Sequence, residues 1–285
     1  MDKRDKNQRR AFVIGDPISH SRSPLIHRYW LEAACLDGSY DPVAVTASDL
    51  PAFVSALKDG SSGFCGGNVT LPHKEAILEF ADEADVTARE IGAANTVWLE
   101  NGRLMATNTD SHGFSANLDE TAPGWDKGKS AIVLGAGGAC RAIVHALLAR
   151  GFSSVAIANR TEARARVLAD RFGPRVSPHG IESLQELVSG ADLFVNTTSL
   201  GMGGTEAPLL DFTVMAEGAL VTDIVYVPLE TPLLAMAKRQ GVATADGLGM
   251  LLHQAVPGFE KWFGLRPQVT PELRQLLIAD METHT

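Results

Sequence analysis

Residues 131–141 read Ala131-Ile132-Val133-Leu134-Gly135-Ala136-Gly137-Gly138-Ala139-Cys140-Arg141, and this stretch decides the fold. Its first four residues are a continuous apolar run, as in a parallel strand buried on both faces. Gly135 permits a tight turn, and Gly137 lets the backbone come close to a pyrophosphate. A helix is expected over 138–150, offering unpaired N–H groups and the positive end of its dipole to that anion. The glycines alone would indicate only a turn, but with a strand before and a helix after they indicate a dinucleotide site. Cys140 replaces the third glycine of G-x-G-x-x-G, and its small side chain still lets helix and strand pack closely.

The end of the next strand selects the dinucleotide. An Asp or Glu there would accept from a ribose 2′-hydroxyl, as NAD-binding sites require. This chain instead has Asn159-Arg160-Thr161, with Arg164 about one helical turn further on and no acidic residue before Glu162. Guanidiniums pair with a 2′-phosphate, so the cofactor expected is NADP(H). Each charge-assisted hydrogen bond would contribute roughly 1.5–3 kcal/mol, on the order of ten- to a hundredfold in affinity.

Working outward, short β-rich runs alternate with helical periods on both sides of this unit. After it come strands at 155–158, 193–195 and 220–222 and a helix at 162–172, so a doubly wound parallel sheet with right-handed crossovers is expected. Before it, Phe12-Val13-Ile14 reads as a strand, and residues 24–36 place Ile26, Tyr29, Trp30 and Ala33 on one helical face. Val43-Ala44-Val45 reads as a strand, 50–58 as a helix, and 63–69 as a glycine-loosened strand. Pro72 is expected near the start of the next helix. Segments 95–100 and 103–106 flank the hairpin signal Asn101-Gly102. The tail from Leu248 is helical and is assigned back to the first domain.

Composition narrows the class. A chain of 285 residues has room for two domains, and 45% hydrophobic with 21% charged residues is an ordinary globular balance. A net charge of −9 argues against a nucleic-acid-binding surface. The charged start, Lys3-Arg4-Asp5-Lys6, precedes an apolar run that breaks at Gly15-Asp16-Pro17, too short for a secretory signal. No apolar run reaches the roughly 18 residues of a membrane span. Cys35, Cys65 and Cys140 are scattered, without C-x-x-C, which suits reduced cytoplasmic thiols. The histidines show no metal-ligand spacing, and no metal is expected.

The first half also gathers polar residues at turns. Ser21-Arg22-Ser23-Pro24 reads as a helix start, with Ser23 a candidate N-cap, but a helix N-terminus flanked by hydroxyls also receives carboxylates. Asn68-Val69-Thr70-Leu71-Pro72-His73-Lys74 and Thr107-Asn108-Thr109-Asp110 add an amide, hydroxyls, an ammonium and a carboxylate. Singly, Lys74 reads as a solvated lysine and Asp110 as a helix cap. Together with Gly92-Ala93-Ala94-Asn95-Thr96, Asn196-Thr197-Thr198-Ser199, Tyr226 and Asp246-Gly247-Leu248-Gly249-Met250-Leu251 with Gln254, these stretches resemble the shikimate dehydrogenases in order and over nearly the whole chain.

That resemblance implies an α/β fold of two domains. Residues 1–112 with 247–285 would bind substrate, with C-terminal helices returning to that domain, and 113–246 would be a Rossmann-like NADP-binding domain. It implies reversible NADPH-dependent reduction of 3-dehydroshikimate to shikimate, in the cytoplasm. By similarity Lys74 and Asp110 are the catalytic pair. Ser21 and Ser23 hold the substrate carboxylate, Thr70, Asn95, Asp110 and Gln254 bind ring hydroxyls, and Tyr226 faces the substrate. The cofactor residues implied are Gly135, Ala136, Gly137, Gly138, Ala139, Asn159, Arg160, Thr161, Arg164, Ile224 and Gly247. Two positions depart from the family pattern: Ser111 follows Asp110 where a glycine is common, and Thr107 stands where an acid is common. His112 is expected to play a local hydrogen-bonding role.

Three other functions remain to be weighed. A quinate/shikimate dehydrogenase would accept quinate and often NAD, which Arg160 and Arg164 oppose. A methylenetetrahydrofolate dehydrogenase has a lysine-centred site but does not explain the two serines and Asn108-Thr109-Asp110 together. A shikimate-sensing relative would need neither Lys74 nor Asp110. Monomer and homodimer are both compatible with the sequence.

Overall fold

A computed structural model describes residues 9–283; the charged start at 3–6 lies outside the described residues. The described residues form two compact units, one running through Thr109 and including Gln254–Asp280, the other Asp110–His253 with the residues from Met281.

The first unit is built on a mixed six-stranded sheet of order β2-β1-β3-β5-β6-β4. Its strands are β1 (Arg9–Gly15), β2 (Gly38–Ala44), β3 (Gly66–Val69), β4 (Glu83–Ala84), β5 (Thr96–Glu100) and β6 (Arg103–Thr107). Strand β1 is parallel to β2 and β3, whereas β5 runs antiparallel to both β3 and β6. Asn101 and Gly102 turn the β5–β6 hairpin with positive φ values of 52° and 76°, the conformation that makes Asn-Gly a hairpin signal. One apolar layer gathers Phe12, Ile14, Leu57, Val69 and Val97. The helices are α1 (Ser23–Ala33), α2 (Leu50–Lys58), α3 (Ile77–Phe80) and α4 (Val86–Ile91).

The structure corrects three local expectations. Helix α1 stops before residue 36, because Cys35 takes a left-handed backbone with φ 51°. Strand β2 begins at Gly38 rather than Val43. Pro72 lies in a run of turns, in which the His73 N–H donates to Thr70 O and the Ile77 N–H to His73 O, so the helix starts only at Ile77.

The second unit opens with α5 (Asp110–Thr121) and a parallel sheet of β7 (Ser130–Leu134), β8 (Ser154–Asn159), β9 (Val176–Gly180), β10 (Leu193–Asn196), β11 (Leu220–Asp223) and β12 (Ala243–Ala245). Its order, β12-β11-β10-β7-β8-β9, is the doubly wound dinucleotide-binding order, with its switch point between β7 and β10. Successive residues of β7 feed opposite faces: Ala131 and Val133 join one core, Ile132 and Leu134 the other. Burial of both faces explains the uninterrupted apolar run. The helices are α6 (Gly138–Ala149), α7 (Glu162–Phe172), α8 (Leu184–Val188) and α9 (Pro232–Arg239), followed by α10 (Leu248–Phe263) and α11 (Pro271–Thr283). Helix α10 passes from the second unit into the first at Gln254. No described helix is long and apolar enough to cross a membrane.

Within the first unit, His27 is fully buried as one plate of an aromatic stack. Its ring lies 3.9 Å from that of Tyr40 at 18° and 5.9 Å from that of Phe259 at 7°, with Trp30 edge-on. Neither ring nitrogen has a hydrogen-bond partner. Burial lowers its pKa to about 3, an effect that neighbouring Asn68 only partly offsets. The unfolded chain therefore takes up a proton here below about 6.5, and the folded chain does not until about 3. Acidification through that window costs about 1.4 kcal/mol of stability per pH unit. His27→Phe should abolish this increment, so urea midpoints should show the variant gaining on the wild type as pH falls from 7 to 4. Parallel pH profiles would contradict the assignment.

Candidate active site

In the first unit the topology gathers the polar residues at one sheet edge. Strands β1 and β3 run in the same direction and end at Gly15 and Val69, and the Thr70 N–H donates to Ile14 O at 2.9 Å. Because β5 is antiparallel to β3, its first residue Thr96 pairs with Asn68 at that edge. Strand β6, antiparallel to β5, returns Thr107 opposite Thr96. The segments after β1, after β3, before β5 and after β6 thus share the carboxyl edge of the parallel strands, where open α/β sheets bind ligands.

Asn95 binds these segments together and is 3% exposed. Its Oδ1 accepts from the Thr109 N–H at 2.8 Å and from the hydroxyls of Thr109 and Thr96 at 3.1 and 3.0 Å. Its Nδ2 donates to Gln254 Oε1 at 3.3 Å. Its backbone N–H donates to Thr107 O, and its carbonyl accepts from Val69 N and Asn68 Nδ2. The Lys74 carbonyl accepts from Ala94 N at 2.7 Å, so the half-buried Lys74 is anchored beside the same strand entry. Asp110 lies one peptide bond beyond Thr109, buried in the first turn of α5.

Ser23 is the first residue of α1, and its hydroxyl caps nothing: the N-cap position belongs to Arg22, without a side-chain cap bond. This removes the capping explanation for Ser23. Its backbone N–H donates to Ser21 Oγ at 3.4 Å, which brings the two serines together. Arg22 turns away to pair with Asp280 at 3.0 Å. Behind Ser23 lies the Tyr40 hydroxyl, which donates to Asn68 Oδ1 at 2.6 Å. Burial pushes that phenol well above its ordinary pKa, so it remains a donor.

In the second unit every expected cofactor residue follows or ends a strand at the carboxyl edge of the parallel sheet or begins the helix beyond it. The glycines of the turn have different roles. Gly135 has φ +108°, and a Cβ there would lie 2.7 Å from Thr198 Cγ2 and 2.8 Å from Thr197 Oγ1. At Gly137 and Gly138 a Cβ would meet nothing within 4 Å. Protein packing dictates only the first; the open space at the other two, on the N-terminus of the 12-residue α6, suits an approaching pyrophosphate. Cys140 is buried in the core with Val133 and Ile143, as a small residue between helix and strand should be.

Arg160 and Arg164 are exposed at the end of β8 and the start of α7. Glu162, the nearest acid, is engaged by Arg166 at 2.5 Å. Asn159 Nδ2 bonds Thr161 O at 2.8 Å and shapes the turn. Ile224 and half-buried Tyr226 follow β11, and a Cβ on Gly247 would lie 2.5 Å from Ile224 O. Ser111, next to Asp110, shares a hydrogen bond with His145 Nδ1 at 3.0 Å.

Sequence reasoning did not assign roles to Tyr40, Asn68, Thr96 or Thr109. Their signal is burial of polar side chains on adjacent strands, visible only once strand register is known. No group of three or more His, Cys, Asp or Glu able to hold a metal occurs among the described residues.

The class defined is an α/β protein pairing a doubly wound dinucleotide-binding unit with a second α/β unit that carries a buried polar cluster. Family models match in chain order: the shikimate dehydrogenase substrate binding domain at residues 13–97, shikimate / quinate 5-dehydrogenase at 120–203, and the shikimate 5'-dehydrogenase C-terminal domain at 247–277. The shikimate dehydrogenase (NADP(+)) of Sinorhizobium fredii is 58% identical over 99% of both chains. Among solved structures, Thermus thermophilus shikimate 5-dehydrogenase in complex with NADP(H) and shikimate has a TM-score of 0.83 at 38% identity, covering 96% of this chain and all of that one. Quinate dehydrogenase of Corynebacterium glutamicum in complex with NAD has a TM-score of 0.86 at 31% identity, covering 95% of this chain and 99% of that one. The chain belongs to the shikimate dehydrogenase family.

The glycine turn offers a direct test. Gly137→Ala should leave the melting temperature unchanged, because an added methyl meets no protein atom within 4 Å, yet weaken NADP+ binding by about tenfold in a fluorescence titration if the pyrophosphate takes that space. Gly135→Ala should lower stability by about 1–3 kcal/mol through overpacking. Full nucleotide affinity in Gly137→Ala would contradict the assignment.

Proposed function

We propose that this chain catalyses the reversible NADPH-dependent reduction of 3-dehydroshikimate to shikimate, on the route to aromatic amino acids. The observation that carries this is the Asn95 network, which presents an amide, hydroxyls, Gln254 and Lys74 at one sheet edge beside the paired serines. Residues 1–112 with 247–285 serve the substrate and 113–246 the cofactor. The partners are small molecules rather than nucleic acid or membrane. The setting is the cytoplasm, where free thiols such as those of Cys35, Cys65 and Cys140 persist, and the protein acts as a monomer or homodimer.

The residues at the glycine turn fit NADPH: the open N-terminus of α6 at Gly137 and Gly138, flanked by Ala136 and Ala139, would hold the pyrophosphate. Arg160 and Arg164 pair with the 2′-phosphate, Asn159 and Thr161 shape that turn, and Ile224 and Gly247 line the edge. Bound NADPH supplies the hydride. Ser21 and Ser23 donate to the substrate carboxylate, while Thr70, Asn95, Asp110 and Gln254 hold the ring hydroxyls and Tyr226 faces the ring. The Lys74 ammonium stabilises negative charge developing on the carbonyl oxygen and gives it a proton, with the Asp110 carboxylate orienting the ammonium.

Quinate with NAD is the competing substrate pair, supported by likeness to the quinate dehydrogenase fold. The two exposed arginines and the absence of an acid at the end of β8 favour NADPH.

Two variants test these roles. Lys74→Ala should lower kcat by about 10²–10⁴, the usual value of general acid–base help, with NADPH affinity intact; near-normal turnover would refute the role. Arg160→Asp should raise KM for NADP+ on the order of ten- to a hundredfold while sparing NAD+. An equal loss with both cofactors would refute the assignment of the 2′-phosphate.

A further inference from the structure

Asp223 ends β11 with its side chain completely buried. Its Oδ1 accepts from Asn196 Nδ2 and from the Val225 N–H, both at 2.9 Å, and its Oδ2 accepts from the Thr231 hydroxyl at 2.7 Å. Val225 lies near the start of the loop 224–230, and Thr231 follows its end. One carboxylate therefore fastens both ends of that loop, and Tyr226 sits within it. The Ile224 N–H adds a bond to Asn196 O at 3.1 Å.

A second arm runs through Asn196. Its Oδ1 accepts from the N–H and hydroxyl of Thr198 at 3.0 and 2.7 Å, and its Nδ2 also donates to Leu200 O at 3.2 Å. Thr197 and Thr198 are the residues against which Gly135 packs.

A buried carboxylate is costly unless its acceptor sites are filled, and all three partners here are donors. Burial raises the Asp223 pKa to about 6, while Thr231, Val225 and Asn196 each pull it down. An apolar residue would fill this place at the end of β11 but would leave three buried donors unpaired. An asparagine with its oxygen toward Asn196 and Val225 would set its N–H₂ group against the Thr231 hydroxyl, which would have to turn from donor to acceptor while still accepting from the Leu234 N–H.

We infer that Asp223 is a positioning residue for the substrate reaction: by pinning both ends of the 224–230 loop it sets the place of Tyr226, and through Asn196 it separately orders the loop beside Gly135. The inference rests on the shikimate reading of the site.

Thr231→Val separates the two arms, because it frees one end of the Tyr226 loop and leaves the Asn196–Asp223 bond in place; it also removes the cap that the Thr231 hydroxyl gives the Leu234 N–H at the start of α9, a loss read separately as a lower melting temperature. The expected result is a fall in kcat/KM for shikimate of roughly tenfold, the value of one lost hydrogen bond to a charged group. The Kd for NADP+ should stay within about twofold and Thr231→Ser should recover most of the loss. In a Tyr226→Ala background, Thr231→Val should have no further effect on shikimate kinetics. Should Thr231→Val not fold, as judged by circular dichroism, Asp223→Asn carries the expectation of a shikimate defect whose Tyr226 part is masked by Tyr226→Ala, with any loss of NADP+ affinity, which comes through Asn196, left unmasked. Unchanged shikimate kinetics in Thr231→Val, parallel losses for shikimate and NADP+, or effects additive with Tyr226→Ala would overturn the inference while leaving the functional reading standing. A wild-type chain that does not turn over shikimate would overturn both.

Discussion

Asn95 takes hydrogen bonds from Thr96 and Thr109 on its side-chain oxygen, gives one to Gln254, and through its backbone joins Asn68, Val69 and Thr107. Segments separated by more than 150 residues are thereby held against one buried amide. A carboxamide suits this task because it offers donor and acceptor on a short, stiff stem. An apolar side chain here would strand several buried donors, each costing about 1–3 kcal/mol. The polar residues at this sheet edge depend on this knot: it sets the strand entry beside which Lys74 is anchored and the exit from β6 that leads to Asp110.

Two buried titratable groups, His27 and Asp223, behave in opposite ways. His27 is kept neutral and works as an aromatic plate behind Tyr40, with neither ring nitrogen in a well-formed hydrogen bond. Asp223 is saturated by donors, and its folded pKa of about 6 lies above the ordinary 3.8. Its contribution to stability is therefore full below about 3.8 and is lost as pH rises through about 6. His27 contributes with the opposite sign, being destabilising only once acid charges the unfolded chain. Both groups serve geometry: one fills a stack and the other ties down the ends of a loop.

Much of this was legible in the sequence, and the gaps have a common physical cause. Central strands such as β7 and β10, buried on both faces, announce themselves as apolar runs. The edge strands do not: β2 was displaced by several residues, and β4, β9 and β12 gave no signal, because an edge strand buries few of its side chains. Tyr40 is the one fully buried residue of β2 and so breaks the local pattern instead of extending it. The glycine turn was legible because φ and steric demands restrict it to glycine. Ser23 resembled a helix cap because its spacing to Pro24 is that of a cap, and only the hydrogen-bond geometry shows that its hydroxyl is uncommitted to that role. Asp223 was not legible at all, since its tie to Asn196 depends on the pairing of β10 with β11, and its ties to Val225 and Thr231 depend on how the loop between them folds back.

Steady-state turnover of the purified wild-type protein shows whether one substrate is paired with one cofactor. Shikimate or quinate is offered with NADP+ or NAD+ in all four combinations, and absorbance of the reduced nicotinamide is followed. Rapid turnover confined to shikimate with NADP+ is the expected result. Comparable turnover of quinate with NAD+, or saturable shikimate binding with no turnover in any combination, would contradict it.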